Sequence, residues 1–206
     1  MIRIALLRHG ATAWNAAGRL QGRSDVALSP AGRAAVAGWR LPDIALASAW
    51  QTSPLVRCRE TAEILQTGHP GAPPATVEPR LVEMDFGCWE GESLAALRAA
   101  DPEGTAAREA QGLDFAAPGG ESPRAVQARL APWLDGCASA GRDVLAITHK
   151  GVIRALYAQA TGWPMLGRMP TRLDFATLQL FALTGDRRLS VDRLNLPLSP
   201  ADRPVP

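Results

Sequence analysis

The sequence predicts an α/β fold: a mostly parallel central sheet with helices on both faces, carrying a short helical cap insertion. Three observations lead there. Strand-like and helix-like segments alternate along the 206 residues, the order expected when helices cover both faces of a sheet. The run at 2–7, IRIALL, is apolar throughout, as suits a strand buried on both sides. Ser-Pro pairs at Ser29-Pro30 and Ser53-Pro54 mark helix starts, Ser as cap and Pro at the first helical position.

The elements follow in order. After the strand at 2–7 come Arg8-His9-Gly10, then a helix from Pro30 to about Arg40. Residues 43–48, DIALAS, read as a second strand, and Pro54 opens the helix PLVRCRETAEILQ. The stretch HPGAPPA from His69 is a loop. LVEMDFGCWEG, around 80–90, is irregular and aromatic. Residues 91–120 are less apolar, with Gly and Pro at both ends, and read as a small helical cap. PGGES (118–122) closes it and leads into the helix SPRAVQARLAPWLDGCA. DVLAITHKG is a strand ending in a second histidine, followed at once by the helix VIRALYAQATG. TLQLFAL and RLSVDRLNL form an antiparallel edge hairpin. The expected organisation is one domain over 1–197 and a flexible Pro-rich tail over 198–206.

Composition narrows the function classes. A net charge of +2 is too small to argue for nucleic acid or a membrane surface as partner. No apolar run approaches the roughly 20 residues that span a bilayer. The N-terminus lacks a signal-peptide cleavage site and reads directly as a strand. Cys58, Cys88 and Cys137 have no paired spacing and are expected as free thiols, which suits a cytoplasmic location. No His/Cys/Asp cluster has metal-ligand spacing, so neither metal nor cofactor is expected. The oligomeric state is left open.

In an open α/β sheet, ligands bind beyond the carboxyl ends of the strands. His9 and His149 both stand at such ends, so they can meet in space. A neutral imidazole held by a hydrogen bond on one nitrogen is a competent nucleophile on the other; a packed structural histidine is the alternative. Arg8 offers a guanidinium fork matched to phosphate oxygens. Arg57 and Arg59 compete to be a second fork. Asp85 and Glu90 compete with Glu83 as an acid.

LLRHGATAWN (6–15), SPLVRCRETAEIL, LVEMDFGCWEG, PGGES and THKGVIRAL, in that order, resemble the motifs of the histidine phosphatase superfamily, the phosphoglycerate mutase-like family. The resemblance spans nearly the whole chain and is to its small phosphatase branch, which resembles alpha-ribazole phosphatase. It implies a phosphoglycerate mutase-like fold and a phosphohistidine on His9. It implies a clamp from Arg8 and, by the pattern S-P-x-x-R, Arg57. By L-x-E-x-x-F-G it implies Glu83 as proton donor, with Phe86 and Trp89 desolvating it. His149 is implied as a donor to the phosphoryl oxygens, as a neutral ring or as imidazolium. Gly10, Asn15, Gln21 and Gly22 are implied as phosphate or substrate contacts. Glu121 and Ser122 either close the site or only cap a helix.

The chain departs from the pattern where many such phosphatases have glycine after the second histidine. Here Lys150 stands, the only lysine of the chain, and it is a candidate for substrate recognition. Gly151 follows, where the mutases carry Asn. The insertion is short and offers only Arg98 and Arg108 as cations. These departures favour hydrolysis of a small phosphorylated metabolite over mutase transfer, with a non-catalytic phosphate-binding module as a third reading.

Overall fold

The N-terminal run becomes β1 (Ile2–Arg8), and its residues alternate between two cores. Ile2, Ile4 and Leu6 join one cluster; Ala5 and Leu7 join the other. This is the period of two of a strand buried on both faces. The computed structural model describes residues 1–198. After β1 come α1 (Ala13–Ala16), α2 (Pro30–Ala37), α3 (Asp43–Leu46), β2 (Ala49–Thr52), α4 (Val56–Gly68) and β3 (Thr76–Val77). The cap holds α5 (Leu94–Ala100) and α6 (Pro102–Glu109). α7 (Pro123–Ala140), β4 (Val144–Thr148), α8 (Lys150–Thr161), β5 (Leu178–Leu183) and β6 (Leu189–Leu196) complete the order.

The six strands lie in the order β3-β2-β4-β1-β5-β6. β3, β2, β4 and β1 run parallel, and the β5–β6 hairpin adds antiparallel to β1. Helices cover both faces, as the alternation of segments predicts. α7 and α8 supply Val126, Leu130, Trp133, Ile153 and Leu156 to one core. α2 and α4 supply Val36, Cys58, Ala62 and Leu65 to the other.

Two expectations about elements are corrected. DIALAS is not a strand: Asp43–Leu46 form a helical turn behind Pro42, and the strand begins at Ala49. Short apolar runs are ambiguous between the two states. Here Pro42 presets the entry, Ala45 and Leu46 favour helix, and the β-former Trp50 lies beyond. Its indole N–H donates to Ala45 O at 3.0 Å, tying turn to strand. The helix after Ser53 starts at Val56, and Ser53 does not cap it. The Val56 N–H is taken by Asp25 Oδ1 at 2.7 Å instead. By contrast, Ser29 and Ser122 cap α2 and α7 as expected. Strand β3 has two exposed residues and no clear signal in the sequence. Leu198 packs in the second core, and the rest of the Pro-rich tail, 199–206, lies outside the described residues.

The register of β1 with β4 sets up the site. Arg8 pairs with Thr148, and the His9 N–H donates to Thr148 O at 3.0 Å. Residues 9 and 149 therefore leave the sheet side by side.

Candidate active site

A cleft of about 690 Å³ opens at the carboxyl ends of β1 and β4, a volume suited to a small-molecule ligand. His9 stands in its wall. His9 Nδ1 donates to Gly10 O at 2.7 Å, which places the lone pair on Nε2. Burial, then the charges of Arg8 and Arg57, hold the His9 pKa well below its ordinary value, so the ring is neutral at physiological pH. Gly10 does not reach the cleft, contrary to its expected role as a substrate contact. Its N–H donates to Thr61 Oγ1 at 3.0 Å and its carbonyl is spent on His9. It orients the imidazole.

Arg57 is fully buried. Its Nη1 and Nη2 donate to Ser24 O at 2.8 Å and Gly22 O at 2.7 Å, and its Nε to His149 Nδ1 at 3.3 Å. A guanidinium has five N–H donors, so two remain for a ligand. Arg8 lines the same wall, its Nε buried and without a partner. Arg59 is exposed.

His149 is also completely buried, its ring centroid 5.2 Å from that of His9. Nδ1 accepts from Arg57, so Nε2 carries the proton and donates to Ser53 Oγ at 2.7 Å. Burial, then repulsion from His9 and Arg57, pushes its pKa well down. The ring is neutral, not imidazolium, and in this arrangement its N–H points at Ser53. It lies beneath the cleft and braces both His9 and Arg57.

Glu83 faces them from the loop after residue 81. Its Oε1 accepts from Met84 N at 2.8 Å and its Oε2 from Gly151 N at 3.1 Å. Burial raises its pKa, while the two N–H donors, Arg57 and Arg8 pull the other way. Met84, Phe86 and Trp89 line the cleft with it. Gly151 leaves room for it: a Cβ there would push the Glu83 carboxylate aside.

The two rival acids are engaged elsewhere. Asp85 accepts from Gly87 N and pairs with Arg23 at 3.4 Å. Glu90 accepts from Arg23 N, Ser24 N, Ser24 Oγ and Phe86 N. This carboxylate props up the loop whose carbonyls hold Arg57. Gly22, with φ of +50°, has no room for a Cβ above it.

Asn15 and Gln21 sit on the cleft wall with their carbonyl ends turned to Thr12. Asn15 Oδ1 accepts from Thr12 N at 3.0 Å, and Gln21 Oε1 from Thr12 Oγ1 at 2.9 Å. With the oxygens so engaged, the amide NH₂ groups of these two cleft-lining residues are their remaining donors. Lys150 lines it too, with Nζ 5.3 Å from the Phe175 ring centroid. Glu121 pairs with Arg129 at 2.8 Å, and Ser122 caps α7; neither lines the cleft. His69 bonds Leu41 N and Leu65 O and is structural. The Cys58 thiol, its pKa pushed up by burial, packs against His149. No group of three or more His, Cys, Asp or Glu among the described residues could hold a metal, and no helix is long and apolar enough to cross a membrane.

Five contributors lie inside the quoted blocks, but the sequence does not assign them these roles. Thr12, Ser53, Thr61 and Glu90 act through hydrogen bonds that only the fold completes. Arg154 lies inside THKGVIRAL, four residues after Lys150, a helical spacing that places both on one face.

The sequence matches the histidine phosphatase superfamily (branch 1) over residues 4–196. The chain belongs to this superfamily. The histidine phosphatase is 33% identical to the glucosyl-3-phosphoglycerate phosphatase of Mycolicibacterium vanbaalenii, across 81% of this chain and 80% of that one. It is 32% identical to a probable phosphoglycerate mutase of Erwinia tasmaniensis, across 84% and 81% of the two chains. Its fold superposes on a mycobacterial glucosyl-3-phosphoglycerate phosphatase solved with VO₃, with a TM-score of 0.76 and 27% identity over 95% of this chain and all of that one.

Proposed function

We propose that this histidine phosphatase hydrolyses a small phosphorylated metabolite through a phosphohistidine on His9. One observation carries the reading: a neutral His9 with its Nε2 lone pair fixed by Gly10 O, in a wall shared with Arg8, Arg57 and the buried Glu83.

In the first step, the Nε2 lone pair attacks phosphorus. The bond from phosphorus to the leaving oxygen breaks, its electron pair goes to that oxygen, and the Glu83 carboxyl supplies the proton. Arg8 and the two unspent donors of Arg57 take the phosphoryl oxygens and follow the charge as it builds. The amides of Asn15 and Gln21 add neutral donors. In the second step, water attacks phosphorus and the P–N bond breaks, returning the electron pair to Nε2. Glu83, now a carboxylate, takes the proton of the water. Opposing influences on Glu83 suit both halves of the cycle: burial favours the acid, and the arginines with two backbone N–H groups favour the anion. His149 keeps His9 and Arg57 in register.

Phosphate passed back to a second substrate molecule would give the mutase reaction, and similarity to a probable phosphoglycerate mutase keeps that reading in view. Rapid quench of the enzyme with p-nitrophenyl phosphate tests the proposal. Acid-labile, alkali-stable phosphate is expected on the wild type, with stoichiometric release of inorganic phosphate. His9→Ala is expected to lose both while remaining folded. Full activity in His9→Ala sinks the proposal, and transfer without phosphate release replaces hydrolysis by the mutase reading.

A further inference from the structure

Two cations on α8 take no part in the hydrolytic steps. Lys150 and Arg154 are one helical turn apart, so their side chains share a face, and both line the cleft. Arg154 Nε is buried with no hydrogen-bond partner, a condition it shares among the described residues only with Arg8 Nε. Arg8 stands where the phosphoryl group binds. Neither Lys150 nor Arg154 has an acidic partner among the described ion pairs.

Like charges at this spacing repel. Lys150 is exposed at the rim, whereas Arg154 is half-buried, and burial lowers its pKa. The aromatic rings beside them aim their heads without accepting their N–H groups. Arg154 Cζ lies 5.6 Å from the Trp163 ring centroid, and Lys150 Nζ 5.3 Å from that of Phe175. The cleft wall as a whole carries Arg8, Arg19, Arg57, Arg98, Lys150 and Arg154 against only Glu83 and Glu109. Glu109 is already held by Arg98 at 2.7 Å. One phosphoryl group at His9 engages Arg8 and Arg57, which leaves the α8 pair still facing open cleft.

We propose that Lys150 and Arg154 form a second anion subsite, and that the substrate is a phosphomonoester whose leaving group carries a further anionic group, a carboxylate or a second phosphate. The proposal rests on the hydrolase reading and narrows its substrate class. The planar fork of Arg154 takes two oxygens of the anion, and the ammonium of Lys150 adds a compact charge beside them. An anion held away from the reacting bond is bound equally in ground and transition states, so its loss appears mainly in KM.

Three alkyl phosphates of equal chain length test this: hydroxypropyl phosphate, its carboxylate analogue phosphooxypropanoate, and propanediol bisphosphate. p-Nitrophenyl phosphate serves as the reference. The wild type is expected to favour one or both of the doubly anionic substrates over hydroxypropyl phosphate by about tenfold or more in kcat/KM, through KM. Preference for the carboxylate or for the bisphosphate identifies the anion. Arg154→Met and Lys150→Met are expected to bring that ratio toward one. Arg154→Lys is expected to recover part of it, which a folding defect cannot do. A wild type that cleaves the aryl phosphate but shows no preference overturns the subsite and leaves the hydrolase reading standing. So does an equal loss on all substrates in both Met variants, which places the pair in the phosphate clamp. No turnover of any substrate, the aryl phosphate included, brings down the hydrolase reading itself.

Discussion

The acid role proposed for Glu83 rests on a balance, with burial lifting its pKa against the pull of Arg8, Arg57 and two backbone N–H groups. Gly151 leaves room for the carboxylate and gives it an N–H, and burial lifts its pKa. Glu83→Gln is therefore expected to slow phosphoenzyme formation by about 10²–10⁴-fold on an alkyl phosphate, the usual worth of a positioned acid. The loss on p-nitrophenyl phosphate is expected to be much smaller, since its leaving group needs little protonation. Single-turnover rates on the two substrates check this, and equal losses refute it. At this scale the sequence is informative where chemistry sits in short blocks. His9 follows a buried strand, and Arg57 and Glu83 each sit in a recognisable pattern. It is silent where a role depends on a distant partner. Ser53 reads as a helix cap, yet its hydroxyl is taken by His149, 96 positions away in the chain. Nothing local to Thr61 announces that it holds Gly10.

Arg57 is aimed by a loop rather than by its own helix. Gly22 O and Ser24 O fix two of its nitrogens, and that loop hangs on the Glu90 carboxylate. Glu90→Ala strips acceptors from several donors at once. It is expected to cost about 1–3 kcal/mol in stability for donors left unsatisfied. It is also expected to weaken inhibition by inorganic phosphate and to lower kcat, because a displaced clamp misorients the phosphoryl group. Denaturant melts and phosphate inhibition constants measured together check it; a stability loss with unaltered phosphate affinity shows that the loop does not position Arg57. Element boundaries were legible where capping chemistry marks them, as at Ser29 and Ser122. They were not legible at 43–48, where a four-residue helical turn and a strand share one composition. Thr76 and Val77 are both strand-formers, but two residues between Pro74 and Pro79 make no strand signal, and β3 is defined by its pairing with β2.

Across the whole molecule, two buried neutral histidines link stability to pH. The folded pKa of His9 and of His149 lies well below the ordinary 6.5. The unfolded chain therefore binds more protons than the folded one below about pH 6.5. The sign follows: their contribution is fully present above that pH and is lost as pH falls toward the folded values. The expected slope is about 1.4 kcal/mol per pH unit for each ring once the unfolded ring is protonated. Urea unfolding at pH 7 and pH 5 reads it. His149→Gln is expected to be less stable at pH 7 but to show a shallower fall to pH 5 than the wild type, and an unchanged slope refutes the assignment. The α/β class and the meeting of the two histidines were legible in the sequence because both follow from strand ends in an open sheet. The cation excess on α8 can be read from its spacing, but that it faces the cleft is set only by the fold.

The position of β1 in the sheet bears on how the chain must be made. Both of its neighbours, β4 and β5, come from beyond residue 143. During synthesis its apolar residues emerge well before those of β4 and β5 and wait roughly 10–30 s for a partner at ordinary elongation rates. Throughout that interval an unpaired strand edge invites association with other nascent chains. The ring that packs beside His9, that of His149, emerges only after that wait. Ribosome-bound fragments ending before β4 thus carry His9 without the residues that surround it in the fold, and the burden of shielding IRIALL falls on chaperones until the sheet closes.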